Sequence, residues 1–212
     1  MKLVFASNNA HKLAEVRQIM PEGVEVLSLH EIGFEQEIDE TGTTLEENSA
    51  IKAEAVCQWL NDQMVNDQMV NIYGVFADDT GLEIDALGGK PGVFTARWYK
   101  RSEGVKELRS EGEIFAANRK KALAELDGKA DRGAQFRTVI TLIKANGERF
   151  AVSGVVRGRI AEEEYGQGGF GYDPVFIPEG YDKTFGELPA EVKNHISHRS
   201  RALSELVKRL KS

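Results

Sequence analysis

The chain has 212 residues, 41% hydrophobic and 29% charged, with a formal net charge of −7. That length and balance suit one sizeable α/β domain with a real core, and the acidic excess argues against a nucleic-acid polymer or an anionic membrane as partner. The single cysteine, Cys57, excludes an intrachain disulfide and suits a reducing cytosol. The apolar run in MKLVFASNN is short for a signal peptide and no stretch approaches a membrane span, so a cytoplasmic location is expected.

In chain order, residues 2–6 read as a buried strand of parallel type, because Leu3, Val4, Phe5 and Ala6 are continuously apolar. The polar segment 7–12 follows, then a helix with Leu13, Val16, Ile19 and Met20 on one face, ended by Pro21 and Gly23. Residues 24–29 read as a second strand. Thr44-Leu45-Glu46-Glu47 has capping-box spacing and starts a helix through about Leu60. At 61–70 the pentapeptide NDQMV is written twice in tandem, a local duplication too short for a solenoid repeat, predicted to lengthen a helix end or loop.

Residues 73–77 read as a buried strand that ends in Asp78, Asp79, Thr80 and Gly81. Successive side chains of an extended chain point to opposite faces, so only one of the two aspartates can face a given site while the other anchors the turn. The pair is either a solvated acidic turn or a seat for a divalent metal or general base. Further on, residues 102–126 read as mostly helical. Residues 135–144 and 149–157 form two strand candidates joined by Asn146-Gly147, a hairpin signal. A glycine-rich loop at 166–173 precedes a short strand at 174–177, and the chain ends in a helix from about Ser197. The pattern is α/β, with antiparallel hairpins added to a parallel start.

Several segments carry groups suited to a phosphorylated ligand. Residues 7–12, SNNAHK, leave a strand and enter a helix, which presents backbone N–H groups and a positive helix end; the segment is an anion site or simply an N-capped turn, and no P-loop pattern is present. Glu40, beside Asp39, offers a second carboxylate, or both belong to a solvated turn. Lys52 lies two turns into the following helix, either solvated or turned inward. In GGFGYDP, 168–174, the glycines allow close backbone approach and Phe170 is either a stacking platform for a base or a core residue. Asp173 could accept hydrogen bonds from a base or ribose. Lys193, His195, His198, Arg199 and Arg201 concentrate donors around Ser197, read as the cap of the last helix.

Together SNNAHKLAEV (7–16), ETGTTLEENSAIKA (40–53), ADDTGLEIDALGGKPGVFTARW (77–98), GGFGYDPVF (168–176) and SHRSRAL (197–203) resemble the Ham1-like non-canonical purine nucleoside triphosphate pyrophosphatases, in order and almost end to end. The resemblance implies an elongated mixed β-sheet with flanking helices and two lobes around a substrate cleft, forming one domain over residues 1–212. It implies Mg²⁺-dependent hydrolysis of ITP, dITP and XTP to the monophosphate and pyrophosphate by a homodimer. Carried over by position, Ser7, Asn8, Asn9, Ala10, His11 and Lys12 would hold the triphosphate, with Lys12 the key cation and Lys52 a further phosphate-side residue. Asp79 would be the proton acceptor and, with Glu40, a metal carboxylate; Asp39 stays open as a substitute. Thr80 would contact substrate, a hydroxyl where many members have Ser. Phe170, Gly171, Tyr172 and Asp173 would contain the base, with Lys193, His198 and Arg199 completing the site. Asp78 would keep a supporting role at the turn, and the glycines near Pro91 would connect the lobes. Two other readings remain: a nucleotide-binding regulator without turnover, and a phosphatase that releases orthophosphate.

Overall fold

The computed structural model describes residues 1–64, 71–101 and 110–211. Its elements are β1 (Lys2–Phe5), α1 (Ala10–Ile19), β2 (Glu25–Leu27), α2 (Leu45–Met64), β3 (Ile72–Ile84), β4 (Lys90–Gly92), α3 (Glu111–Glu125), β5 (Gly133–Lys144), β6 (Arg149–Ile160), β7 (Phe176–Pro178), α4 (Ala190–Ile196) and α5 (His198–Lys211). Short 3₁₀ segments occupy Asp85–Leu87, Thr95–Arg101 and Asp173–Val175. The fold is mixed α/β: β1 pairs in parallel with β2 and β3, while β4 and β7 add antiparallel edges.

The chain divides into two compact units. The first comprises Met1–Asp79, Thr138–Gly154 and Arg199–Ser212; the second comprises Thr80–Arg137 and Val155–His198. In the first unit the period-2 alternation of the strands separates two cores. Val4, Ala6, Val75 and Ala77 pack with Ala53, Val56 and Leu60 of α2. On the opposite face Leu3, Phe5 and Phe76 pack with Val16 of α1 and with Ala202, Leu203 and Leu206 of α5. The ladder pairs Val4 with Val75 and Phe5 with Phe76, and the two phenylalanine rings stack at 4.9 Å. In the second unit a single core gathers Leu82, Ile84, Phe136, Val156, Ile160 and Phe176 with Ala122 and Leu126 at the α3 end.

The predicted elements are present among the described residues, with several differences. β2 is confined to Glu25–Leu27, β6 runs on to Ile160, and the strand predicted at 174–177 is displaced to Phe176–Pro178 behind a 3₁₀ segment at Asp173–Val175. β3 does not end at Ala77 but runs through Asp78, Asp79, Thr80 and Gly81 to Ile84, so the carboxylates stand in mid-strand and Asp78 anchors no turn. Gly88, Gly89 and Pro91 do not connect lobes. They lie inside the second unit, where Gly88 takes a left-handed conformation (φ +61°), Gly89 N–H bonds the Ile84 carbonyl at 3.0 Å, and β4 folds back on β3. The C-terminal helix is preceded by a separate α4, and the extended Ser197 stands between the two, its N–H on Lys193 O and its position, directly before α5, that of an N-cap. α2 extends to Met64; the rest of the NDQMV duplication and the start of the predicted 102–126 helix lie outside the described residues. The capping box at Thr44 forms, with Glu47 N–H on Thr44 Oγ1 at 3.1 Å and Thr44 N–H on the Glu47 carboxylate at 3.2 Å. No helix among the described residues is long and apolar enough to cross a membrane.

Candidate active site

β3 places Asp78 and Asp79 on opposite faces of the first unit's sheet, as alternation requires. Asp79 follows Ala77 onto the α2 face. There its Oδ1 accepts from Lys52 Nζ at 3.3 Å and its Oδ2 from Asn48 Nδ2 at 3.3 Å. Lys52 Nζ also donates to Glu40 Oε1 at 3.0 Å, so one ammonium spans two carboxylates. Lys52 and Asn48 stand one helical turn apart on α2, which puts both on the same face of the helix. Asn48 is fully buried and its Oδ1 accepts from Gly42 N–H at 2.8 Å. It ties the Thr41-Gly42 turn to the Asp79 carboxylate. A Cβ at Gly42 would lie 2.6 Å from that same Oδ1, so the turn needs glycine for close approach.

The electrostatics follow from burial and these partners. Burial raises the proton affinity of Asp79 above that of an ordinary carboxylate, and the nearby Lys52 and Lys12 ammoniums counter this only in part. Burial disfavours the Lys52 charge, but Asp79 and Glu40 outweigh it and hold the ammonium above its usual range. Among the described residues no three or more His, Cys, Asp or Glu side chains gather as a metal cluster. Glu40 and Asp79 are nonetheless the number of carboxylates that Mg²⁺ takes from protein, its shell otherwise filled by water and phosphate oxygens. A positively charged group already seated against both is a structural sign that the pair accommodates a cation.

Asp78 faces the α1 and α5 side. Its Oδ1 accepts from Lys12 Nζ at 2.9 Å and its Oδ2 from Arg199 Nε at 3.1 Å; Arg199 Nη1 also pairs with Glu15 of α1. Arg199 and Asp78 are each 1% exposed. Burial alone would push the Asp78 carboxyl up, but Lys12 and Arg199 reverse this and hold it well below the usual carboxylate range. Burial lowers the Lys12 ammonium from its ordinary value despite Asp78. The 7–12 segment is an N-capped helix start: Asn9 Oδ1 accepts from Lys12 N–H at 3.0 Å, and Ser7 Oγ accepts from Asn9 N–H at 3.3 Å. Asn8, Ala10 and His11 are exposed there, around backbone N–H groups that helix geometry leaves for an anion.

In the second unit Asp173 is the organiser of the glycine loop. Its Oδ2 accepts from Phe170 N–H at 2.7 Å and from Lys193 Nζ at 2.7 Å. The Lys193 ammonium lies 4.7 Å from the centre of the half-buried Phe170 ring, a cation–π arrangement. Phe115 flanks the same ring at 6.2 Å. Gly169 has φ +72°, and a Cβ there would lie 2.1 Å from Asp173 Oδ2. Gly171 O accepts from Arg119 Nη1 of α3 at 2.9 Å, and the buried Tyr172 hydroxyl donates to Thr95 O at 3.1 Å. His198 is buried and stacks on Phe136 at 4.8 Å. Thr80 opens this unit, half-buried, in β3.

The structure therefore brings Asp79, Glu40 and Lys52 together, Lys12 with Arg199 through Asp78, and Phe170, Asp173 and Lys193 together. Of the two neighbouring carboxylates it is Glu40 that meets Lys52, while the Asp39 backbone carbonyl accepts from Thr41 N–H at 3.1 Å. Sequence reasoning missed Asn48, Glu15 and Arg119. Only Asn48 left a signal, a polar residue one turn before Lys52 on the face that carries Leu45 and Val56 inward.

A family model described as the Ham1 family matches residues 3–209. Over 207 residues the chain is 42% identical to a Flavobacterium johnsoniae protein named dITP/XTP pyrophosphatase, covering 98% of this chain and 96% of that one. A Bacillus subtilis protein of the same name is 43% identical over 212 residues, covering 99% and 96%. The Staphylococcus aureus Ham1 protein structure superposes with a TM-score of 0.81 at 37% identity, covering 100% of this chain and 98% of that one.

Proposed function

The chain belongs to the Ham1 family, and from that membership and its carboxylate cluster we infer that it is a nucleoside triphosphate pyrophosphatase acting on ITP, dITP and XTP. The products are the monophosphate and pyrophosphate, so the enzyme removes non-canonical purines from the nucleotide pool. The observation that carries the reading is the Asp79 carboxylate standing with Glu40, Lys52 and Asn48 on one strand face, in a chain that matches the dITP/XTP pyrophosphatases over nearly its full length.

Asp79 orients a water molecule and takes its proton as the water oxygen bonds the α-phosphorus. The bond from that phosphorus to the bridging oxygen breaks, and pyrophosphate leaves. A carboxylate whose proton affinity is raised by burial is a better acceptor than a solvated one. Glu40 and Asp79 would hold Mg²⁺, which when bound supplies charge neutralisation for the phosphates. Lys12, with two ammonium donors beyond the one on Asp78, and the α1 amino terminus with Ser7, Asn8, Asn9, Ala10 and His11 offset the triphosphate charge. Phe170 stacks the base, with Gly171, Tyr172 and Asp173 shaping its surroundings and Lys193 fixed by Asp173. His198 and Arg199 act as donors to a 6-oxo group, which leaves adenine's amino group facing donors and so disfavoured. Thr80 contributes a hydroxyl contact. The whole chain, 1–212, is read as one functional domain that works as a cytoplasmic homodimer.

The test is a turnover assay with ITP, dITP and XTP against GTP and dATP, scoring pyrophosphate and orthophosphate separately, with and without a chelator. Pyrophosphate release that requires Mg²⁺ and disappears in Asp79→Asn is expected. Orthophosphate as first product would make the protein a phosphatase, and binding without turnover would make it a nucleotide-dependent regulator.

A further inference from the structure

We propose that Lys52 and the divalent cation are alternative occupants of the Glu40–Asp79 carboxylate pair, so that Lys52 is a built-in counter-ion which metal loading displaces. The inference rests on the reading of Glu40 and Asp79 as the metal carboxylates and adds a role for Lys52 before substrate arrives.

Three observations carry it. First, Lys52 Nζ takes one oxygen from each carboxylate, Glu40 Oε1 at 3.0 Å and Asp79 Oδ1 at 3.3 Å. A cation drawn to those same oxygens at the roughly 2.1 Å Mg²⁺ requires would stand against the ammonium's positive charge in the space between the two carboxylates, so the two compete for one seat. Second, the Lys52 side chain is only 10% exposed, so the ammonium's repulsion of an incoming divalent ion is poorly screened by solvent. Third, the Asp79 carboxylate is held independently of Lys52: its other oxygen accepts from Asn48, itself fixed by Gly42 N–H. Removing the Lys52 contact therefore leaves a carboxylate already aimed, and exchange needs no rebuilding of β3 or α2.

The arrangement keeps two neighbouring carboxylates from facing each other uncompensated in the resting enzyme. It also explains how one lysine serves both sides of the chemistry. Once displaced, its ammonium is released beside the metal pair with its donors available to a phosphate oxygen, the duty the resemblance implies for Lys52.

The test is Mn²⁺ binding to the nucleotide-free protein, followed by electron paramagnetic resonance of the free ion. Lys52→Met is expected to bind Mn²⁺ about tenfold more tightly than the unmodified enzyme, by removal of an adjacent like charge. Lys52→Arg, which keeps the charge, is expected not to. Should Lys52→Met fail to fold, Lys52→Gln retains a donor for the carboxylates and must show the same tightening. Unchanged or weaker Mn²⁺ affinity in the folded neutral variant overturns the exchange while leaving the metal reading intact. Unchanged affinity in Asp79→Asn overturns the metal reading, and the exchange with it.

Discussion

Asp78 accepts a 2.9 Å bond from Lys12, joining residues 66 positions apart, and its second oxygen holds Arg199. One carboxylate thus aligns two cations from two helices on the face of β3 away from Asp79. Replacing Asp78 with Asn leaves Lys12 and the buried Arg199 short of a negative partner. At neutral pH the loss is expected to be about 3 kcal/mol, the cost of breaking a buried pair from one side. For a chain of this size that lowers Tm by roughly 6–12 °C, read by differential scanning calorimetry. A change within about 1 °C would show that the pair contributes little.

The same carboxylate sets a pH dependence. Its folded-state pKa lies below the unfolded value, so its contribution is fully present above about pH 4, near the reference aspartate value, and is lost as pH falls toward the folded pKa. The Tm gap between the unmodified enzyme and Asp78→Asn should be constant from pH 7 to 5 and narrow below pH 4. A gap that widens on acidification contradicts the assigned direction.

Asn48→Ala removes the link from Gly42 to Asp79 without touching a charge. The Gly42 N–H loses its buried partner, at a cost of about 1–3 kcal/mol. Asp79, the proton acceptor we propose, loses the donor that aims it, and kcat should fall about tenfold or more with a smaller change in KM. Steady-state kinetics on ITP separate the two; an unchanged kcat would leave Asn48 a purely structural residue.

Asp173→Ala removes the one acceptor that Phe170 N–H and Lys193 Nζ share. Nucleotide affinity should drop about tenfold or more, measured by calorimetric titration of the unhydrolysed ITP complex of the Asp79→Asn background. Melting temperature should also fall, as for Asp78→Asn, since Asp173 and Lys193 are both buried and the substitution breaks their pair from one side. Equal affinity would remove Asp173 from base recognition.

Much of this was legible from residue order because the signals were local. The period-2 rule separated Asp78 from Asp79, Thr44 and Glu47 carried a capping box, and Asn146-Gly147 marked the β5–β6 hairpin, whose Gly147 N–H bonds Lys144 O at 2.9 Å. The end of β3 was misread because Asp-Asp-Thr-Gly has poor strand propensity. Distant cations override that preference: Lys12, Lys52 and Arg199 neutralise the aspartates in mid-strand. The Glu15–Arg199 pair, 184 positions apart, and the Arg119 bond to Gly171 exist only through tertiary packing, and no spacing announces them. α4 escaped notice because seven mixed residues, AEVKNHI, show no clear apolar stripe.

The alternation along β3 makes the chemistry of this enzyme sensitive to counting. Pairing with β1 is anchored at Val4–Val75 and Phe5–Phe76, so the face given to each aspartate is reckoned from the ladder and not from the amino terminus. Five extra residues at 61–70 fall before Ile72, where the strand begins, and leave that reckoning untouched. Loss or gain of a single residue between Phe76 and Asp78 would hand α2 the wrong carboxylate and present Lys12 with the other. Length can change upstream of Ile72 without moving either aspartate, whereas inside β3 one residue more or less exchanges the faces they serve.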